Sequence, residues 1–114
     1  MVKPMAMFSF DKSSYEFKLL DLLQDRFFKV AKRNKILGKW AAGRLGLKDS
    51  EAGSYVRGII FSYIMTPVDR KLVEKIAEDF AASKISVTED AIWKKIKLIE
   101  TRIDNKARAD EEDD

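Results

Sequence analysis

The run Lys32-Arg33-Asn34-Lys35 is the densest cluster of positive charge in the chain, and Phe27, Phe28 and Trp40 lie close to it. Basic and aromatic groups in this combination can grip a phosphate and stack a base. The alternative is that the cations line a wet helix face while the aromatics pack inside, as long charged side chains usually do. A net charge of +3 on 114 residues is small for a nucleic-acid binder, so the second reading weighs more. The acidic pair Glu89-Asp90 falls where a helix begins, and there it supports the helix end better than it supports acid–base work. Asp110 to Asp114 could hold a cation weakly; a solvated acidic tail is the ordinary reading. Gly38, Gly43 and Gly46 lack the strand context and spacing of a phosphate loop, and suit close helix packing and helix termination instead. With no cysteine and no histidine, disulfides, thiolate metal sites and cysteine nucleophiles are excluded, and the commonest general base is missing. An enzyme is therefore a weak reading.

The elements that must carry these residues read as helices almost throughout. Only two prolines occur, Pro4 and Pro67, and both fall at boundaries. Residues 12–45 predict a long first helix. Leu19, Leu23, Phe27, Val30, Asn34, Leu37, Ala41 and Leu45 recur at three- and four-residue steps and share one face. Asn34 on that face needs a hydrogen-bond partner, since an unsatisfied buried amide costs about 1–3 kcal/mol. Gly46 is the expected C-terminal cap. Asp49 or Ser50 is expected to cap a second helix over 50–64, with Ala52, Tyr55, Val56, Ile59, Ile60 and Tyr63 inward. The run Ile59 to Met65 is also compatible with a strand by periodicity, but no partner strand is visible. Thr66-Pro67 predicts the cap and first position of a third helix over 67–83, burying Leu72, Val73, Ile76, Ala77 and Phe80. Thr88 predicts the cap of a fourth helix, with Val87 and Ile92 as a hydrophobic staple. Ile92, Ile96, Ile99 and Ile103 then line one face. The fold class expected is all-α, a four-helix bundle with a mobile N-terminal segment. The organisation expected is one domain, with residues 1–17 as that segment, 18–108 as the bundle and 109–114 as an acidic tail.

Hydrophobic residues make up 46% of the chain, which argues against global disorder. No run of about 18 apolar residues occurs, so a membrane-spanning helix is not expected. The first residues lack the apolar stretch and cleavage site of a signal peptide, and the chain reads as cytoplasmic. Residues 1–47 carry ten basic and four acidic side chains, a balance of +6, whereas residues 48–114 carry twelve and fifteen, a balance of −3. A basic front half favours an acidic partner surface, a nucleotide or a nucleic acid.

The stretch Ala31-Lys32-Arg33-Asn34-Lys35-Ile36-Leu37-Gly38-Lys39-Trp40-Ala41-Ala42, completed by Leu45-Gly46-Leu47, resembles the signature of the ATPase inhibitor subunit zeta family of α-proteobacterial F-type ATP synthases. Val87-Thr88-Glu89, Ile92 and Lys94-Lys95 resemble its later motif. The resemblance spans about residues 8–105. It implies a four-helix bundle whose mobile N-terminal segment becomes helical and inserts at a catalytic interface between the α and β subunits, near γ. Hydrolytic rotation is thereby blocked. The partner implied is the catalytic sector of the F-type ATP synthase, with no nucleic acid and no membrane insertion. The location implied is cytoplasmic, peripheral to the inner membrane through the motor. No cofactor is required, although weak ADP or ATP binding on the bundle is a property of some members.

On this basis residues 8–28 are the expected blocking element, with Phe8, Phe10, Tyr15, Phe17 and Lys18 as contacts. Lys32, Arg33, Lys35 and Lys39 are the expected basic patch or nucleotide contact. Phe8, Phe10, Tyr15, Phe17, Leu19, Leu20, Leu22 and Leu23 offer more apolar surface than one bundle face needs, and aromatic anchors dominate many interfaces. Packing on the chain's own bundle is an equally weighted use for them. The sequence departs from the family pattern at Leu19 to Arg26, usually acidic and alanine-rich, and at Tyr63 to Pro67, usually an acidic link. Two alternatives stay open: a protein of the same fold that binds adenine nucleotide or the motor without inhibiting, and a nucleic-acid-binding helical module.

Overall fold

The structure, a computed structural model, describes residues 15–112. Among them are four helices and no strand: α1 Tyr15–Arg44, α2 Asp49–Met65, α3 Asp69–Ala82 and α4 Glu89–Glu112. The run Ile59 to Met65 is helical, as the missing partner strand predicted. The expected flexible segment lies largely outside the described residues, and α1 is already helical at Tyr15. The chain divides into two compact units, residues 1–30 and 31–114.

In the second unit, the part of α1 from Ala31 onward packs with α2, α3 and α4 as a four-helix bundle. Its core is Leu37, Ala41, Ile59, Leu72, Val73, Ile76, Phe80, Ile92, Ile96 and Ile99. These are the residues that the helical spacing put inward. Trp40 meets Phe80 edge to face at 5.7 Å between ring centroids. Gly38 lets α1 approach α2 closely: a Cβ there would stand 3.3 Å from the Val56 Cα. Arg33 pairs with Glu100, and Lys95 sits over Trp40. Increasing number on α1 thus meets decreasing number on α4, so the two helices run antiparallel.

The turns explain where the helices stop. Gly46 takes φ +78°, its N–H donates to Gly43 O at 3.1 Å, and the Leu47 N–H donates to Ala42 O at 3.0 Å. This is a Schellman motif, in which a left-handed residue closes the helix and satisfies its last carbonyls. Thr88 caps α4 as expected, its Oγ1 accepting from the Ala91 N–H at 3.1 Å.

Two caps differ from expectation. Asp49 is the first residue of α2 and has φ +52°, away from the extended conformation that a side-chain cap requires. Lys48 holds the cap position with no side-chain hydrogen bond. At the next link, the Thr66 N–H closes α2 on Ser62 O at 3.0 Å, and Val68 turns back on Thr66 O at 2.8 Å. Thr66 therefore ends α2, Pro67 is in the link, and α3 starts at Asp69 with Val68 in the cap position. The last helix also extends to Glu112, so residues 110–112 continue α4 instead of beginning a tail.

Candidate functional site

The first unit presents a helix with apolar residues facing outward. Leu22 is 68% exposed, Phe28 61%, Phe27 59%, Leu23 55%, Leu19 50% and Leu20 41%. Helical periodicity put Leu19, Leu23 and Phe27 on the same face as Leu37 and Ala41. The structure leaves them in contact with solvent, because the core begins only at Leu37. Phe27 and Phe28 meet edge to face at 6.0 Å, and Lys18 is exposed. The Lys29–Asp25 pair on the same helix, at 3.7 Å and largely exposed, adds little stability. Phe8 and Phe10 lie outside the described residues. Tyr15 and Phe17 lie in the first turn of α1.

In the second unit the expected basic patch separates into two environments. Lys32, Lys35 and Lys39 are exposed. Arg33 is 3% exposed, which corrects its expected place in an open patch. Its Nη2 donates to Asp69 Oδ1 at 2.8 Å and its Nη1 to Asp69 Oδ2 at 3.2 Å. Nη1 also donates to Glu100 Oε2 at 3.0 Å. Nε and Nη2 both donate to Oδ1 of the buried Asn34, at 3.0 and 2.9 Å. The Tyr63 ring centroid lies 5.5 Å from the Arg33 Cζ. One guanidinium thus joins side chains of all four helices, and Asn34 gains the partner its position demanded.

Burial alone would lower the Arg33 pKa, but the hydrogen bonds it donates to Asp69 and Glu100 outweigh it and raise the value. Asp69 is held below the ordinary carboxylate value, chiefly by the hydrogen bond from Arg33, against the opposing effect of burial. With its donors already engaged, Arg33 has little left to offer a phosphate. The sequence carried a sign of this: Arg33 stands four residues before Leu37, a helical neighbour on the inward face.

A similar tie joins α2 and α3, where the Tyr55 hydroxyl donates to Asp79 Oδ2 at 2.7 Å. Burial first, and then this bond, push the Tyr55 pKa well up.

Between α1 and α2 lies an open cleft of about 500 Å³. Ala42, Val56 and Ile60 supply its apolar floor, and Lys35, Lys39 and Arg57 its exposed cationic rim. The sequence reading selected the two lysines but missed Arg57, which lies on another helix. Among the described residues no group of three acidic side chains is placed to hold a metal ion, and no helix is long and apolar enough to cross a membrane.

The model of a family described as ATPase inhibitor subunit zeta covers residues 5–110. No curated protein and no solved structure matches the chain.

Proposed function

Since this chain belongs to the ATPase inhibitor subunit zeta family, we propose that it is a non-catalytic regulatory subunit that restrains ATP hydrolysis by an F-type ATP synthase. Residues 8–28 form the blocking element, wedged at a catalytic α/β interface near γ, with Phe8, Phe10, Tyr15, Phe17 and Lys18 as contacts. The observation that supports this reading is the exposed apolar helix of Leu19, Leu20, Leu22, Leu23, Phe27 and Phe28. Apolar surface of this extent on one helix is the chemistry of helix-in-groove recognition. The protein then works from the cytoplasmic face, attached to the membrane only through the motor.

The reading needs no cofactor. The buried Arg33 brace anchors the part of α1 from Ala31 onward within the bundle. The test is ATP hydrolysis by the purified cognate motor, titrated with the full chain. Saturable loss near one copy per motor is expected. Unchanged hydrolysis with a folded chain overturns inhibition and leaves a member of the family that binds without blocking.

A further inference from the structure

We propose that the cleft between α1 and α2 is a second docking site on this protein, and that its occupant is an acidic segment bearing apolar side chains on a subunit of the motor. The proposal rests on the inhibitory reading above and adds a surface that reading does not use. Three observations carry it.

First, the rim is cationic and unmatched. Lys35, Lys39 and Arg57 line the cleft with no carboxylate among its lining residues, and none of the three takes part in an ion pair among the described residues. By contrast Lys75 pairs with Asp79 at 3.2 Å and Lys94 with Asp90 at 3.1 Å. Such a rim complements carboxylates and steers an acidic surface into place.

Second, the floor is apolar. A bare phosphate would satisfy the rim and leave Ala42, Val56 and Ile60 uncovered, whereas a peptide segment carrying both acidic and apolar side chains covers both. Nucleic acid fits poorly, because the whole chain carries a net charge of only +3 and such binding scales with the phosphates neutralised.

Third, small residues keep the cleft open. A Cβ on Gly43 would meet no heavy atom within 4 Å, and one on Gly53 would come within 3.3 Å of the Arg57 guanidinium. Both positions line the cleft. Larger side chains there would fill the space and displace the arginine head. Two weak attachments on one chain reinforce each other, since the second forms at the effective concentration set by the first.

Two variants of the full chain test this. Gly43→Leu fills the cleft where there is room and adds helix propensity, so it should fold at least as well as the parent. Lys35→Glu combined with Arg57→Glu reverses the rim. In the hydrolysis titration each should raise the concentration for half-inhibition about tenfold while leaving the plateau at saturation unchanged. A zero-length carbodiimide cross-linker, which joins an amine to a carboxylate, should link Lys35 or Lys39 to an aspartate or glutamate of a motor subunit. It should do so in the wild type and fail in Gly43→Leu.

Half-inhibition unchanged in both variants, with the parent inhibiting normally, overturns the cleft proposal alone. Self-association of the chain that Gly43→Leu abolishes overturns it in favour of a second copy. ADP or ATP protecting the lysines from modification without the motor overturns it in favour of a nucleotide. A parent that neither inhibits nor binds the motor removes the functional reading and this proposal together.

Discussion

Arg33 grips both carboxylate oxygens of Asp69, at 2.8 and 3.2 Å, across 36 positions of sequence. The same guanidinium reaches Glu100 and Asn34, so removing it would strand three acceptors at once. Arg33→Ala should lower unfolding stability by about 2–3 kcal/mol. That is the lower end for breaking a buried pair, because Asp69 and Glu100 keep some water contact. Arg33→Lys should recover only part of the loss, since an ammonium cannot serve the fork. Urea unfolding measures both, and a loss below about 0.5 kcal/mol in Arg33→Ala would show that the brace is not structural.

The same pair makes a pH prediction. Asp69 is held below its ordinary value in the folded chain. A carboxylate lowered in this way stabilises the fold fully above the unfolded value, about 3.9. That contribution is lost as the pH falls through the folded value. The stability gap between the parent and Asp69→Asn should be constant from neutral pH to about 5 and shrink below about 4. Urea midpoints measured from pH 7 to 3 give the gap, and one that stays constant to pH 3 would exclude the ionic contribution.

Gly46 and Gly43 should respond with opposite signs. Gly46 holds φ +78°, so Gly46→Ala forces a side chain into the left-handed region at a cost of about 1–2 kcal/mol. Gly43 is helical with open space around it, so Gly43→Ala should stabilise by about 0.5 kcal/mol. Thermal unfolding of the two single variants suffices to separate them.

Deleting residues 1–17 should leave the bundle folded, because its core runs from Leu37 to Ile99. The truncated chain should lose inhibition of hydrolysis. Circular dichroism checks the first expectation and the motor assay the second. Full inhibition by the truncated chain would move the blocking element elsewhere.

The bundle was legible in the sequence because its core residues repeat with the helical period: Leu72, Val73, Ile76 and Phe80 on α3, and Ile92, Ile96 and Ile99 on α4. Gly46 and Thr88 were legible because their local backbone roles depend on few neighbours. Thr66 and Pro67 misled because a threonine before a proline reads as a helix start, yet here the backbone closes α2 first. For Leu19, Leu23 and Phe27 two uses stayed open, because periodicity reports a shared face and not what covers it. Arg33 was read as part of an open patch because its acceptors come from α3 and α4, too distant in sequence for a charge pattern to connect. Arg57 escaped for the same reason, since a cleft between two helices has no signature in either one.

Trp40, edge-on to Phe80 and beneath Lys95, and Trp93, packed against the core, are the only two tryptophans, and both fall within residues 31–114. The tryptophan fluorescence of the chain, excited at wavelengths that tyrosine does not absorb, is therefore a selective reporter. Its emission follows the packing of the bundle, because residues 1–30 contain Tyr15 but no indole. With a partner that itself lacks tryptophan, a change in that emission on binding marks a response among residues 31–114.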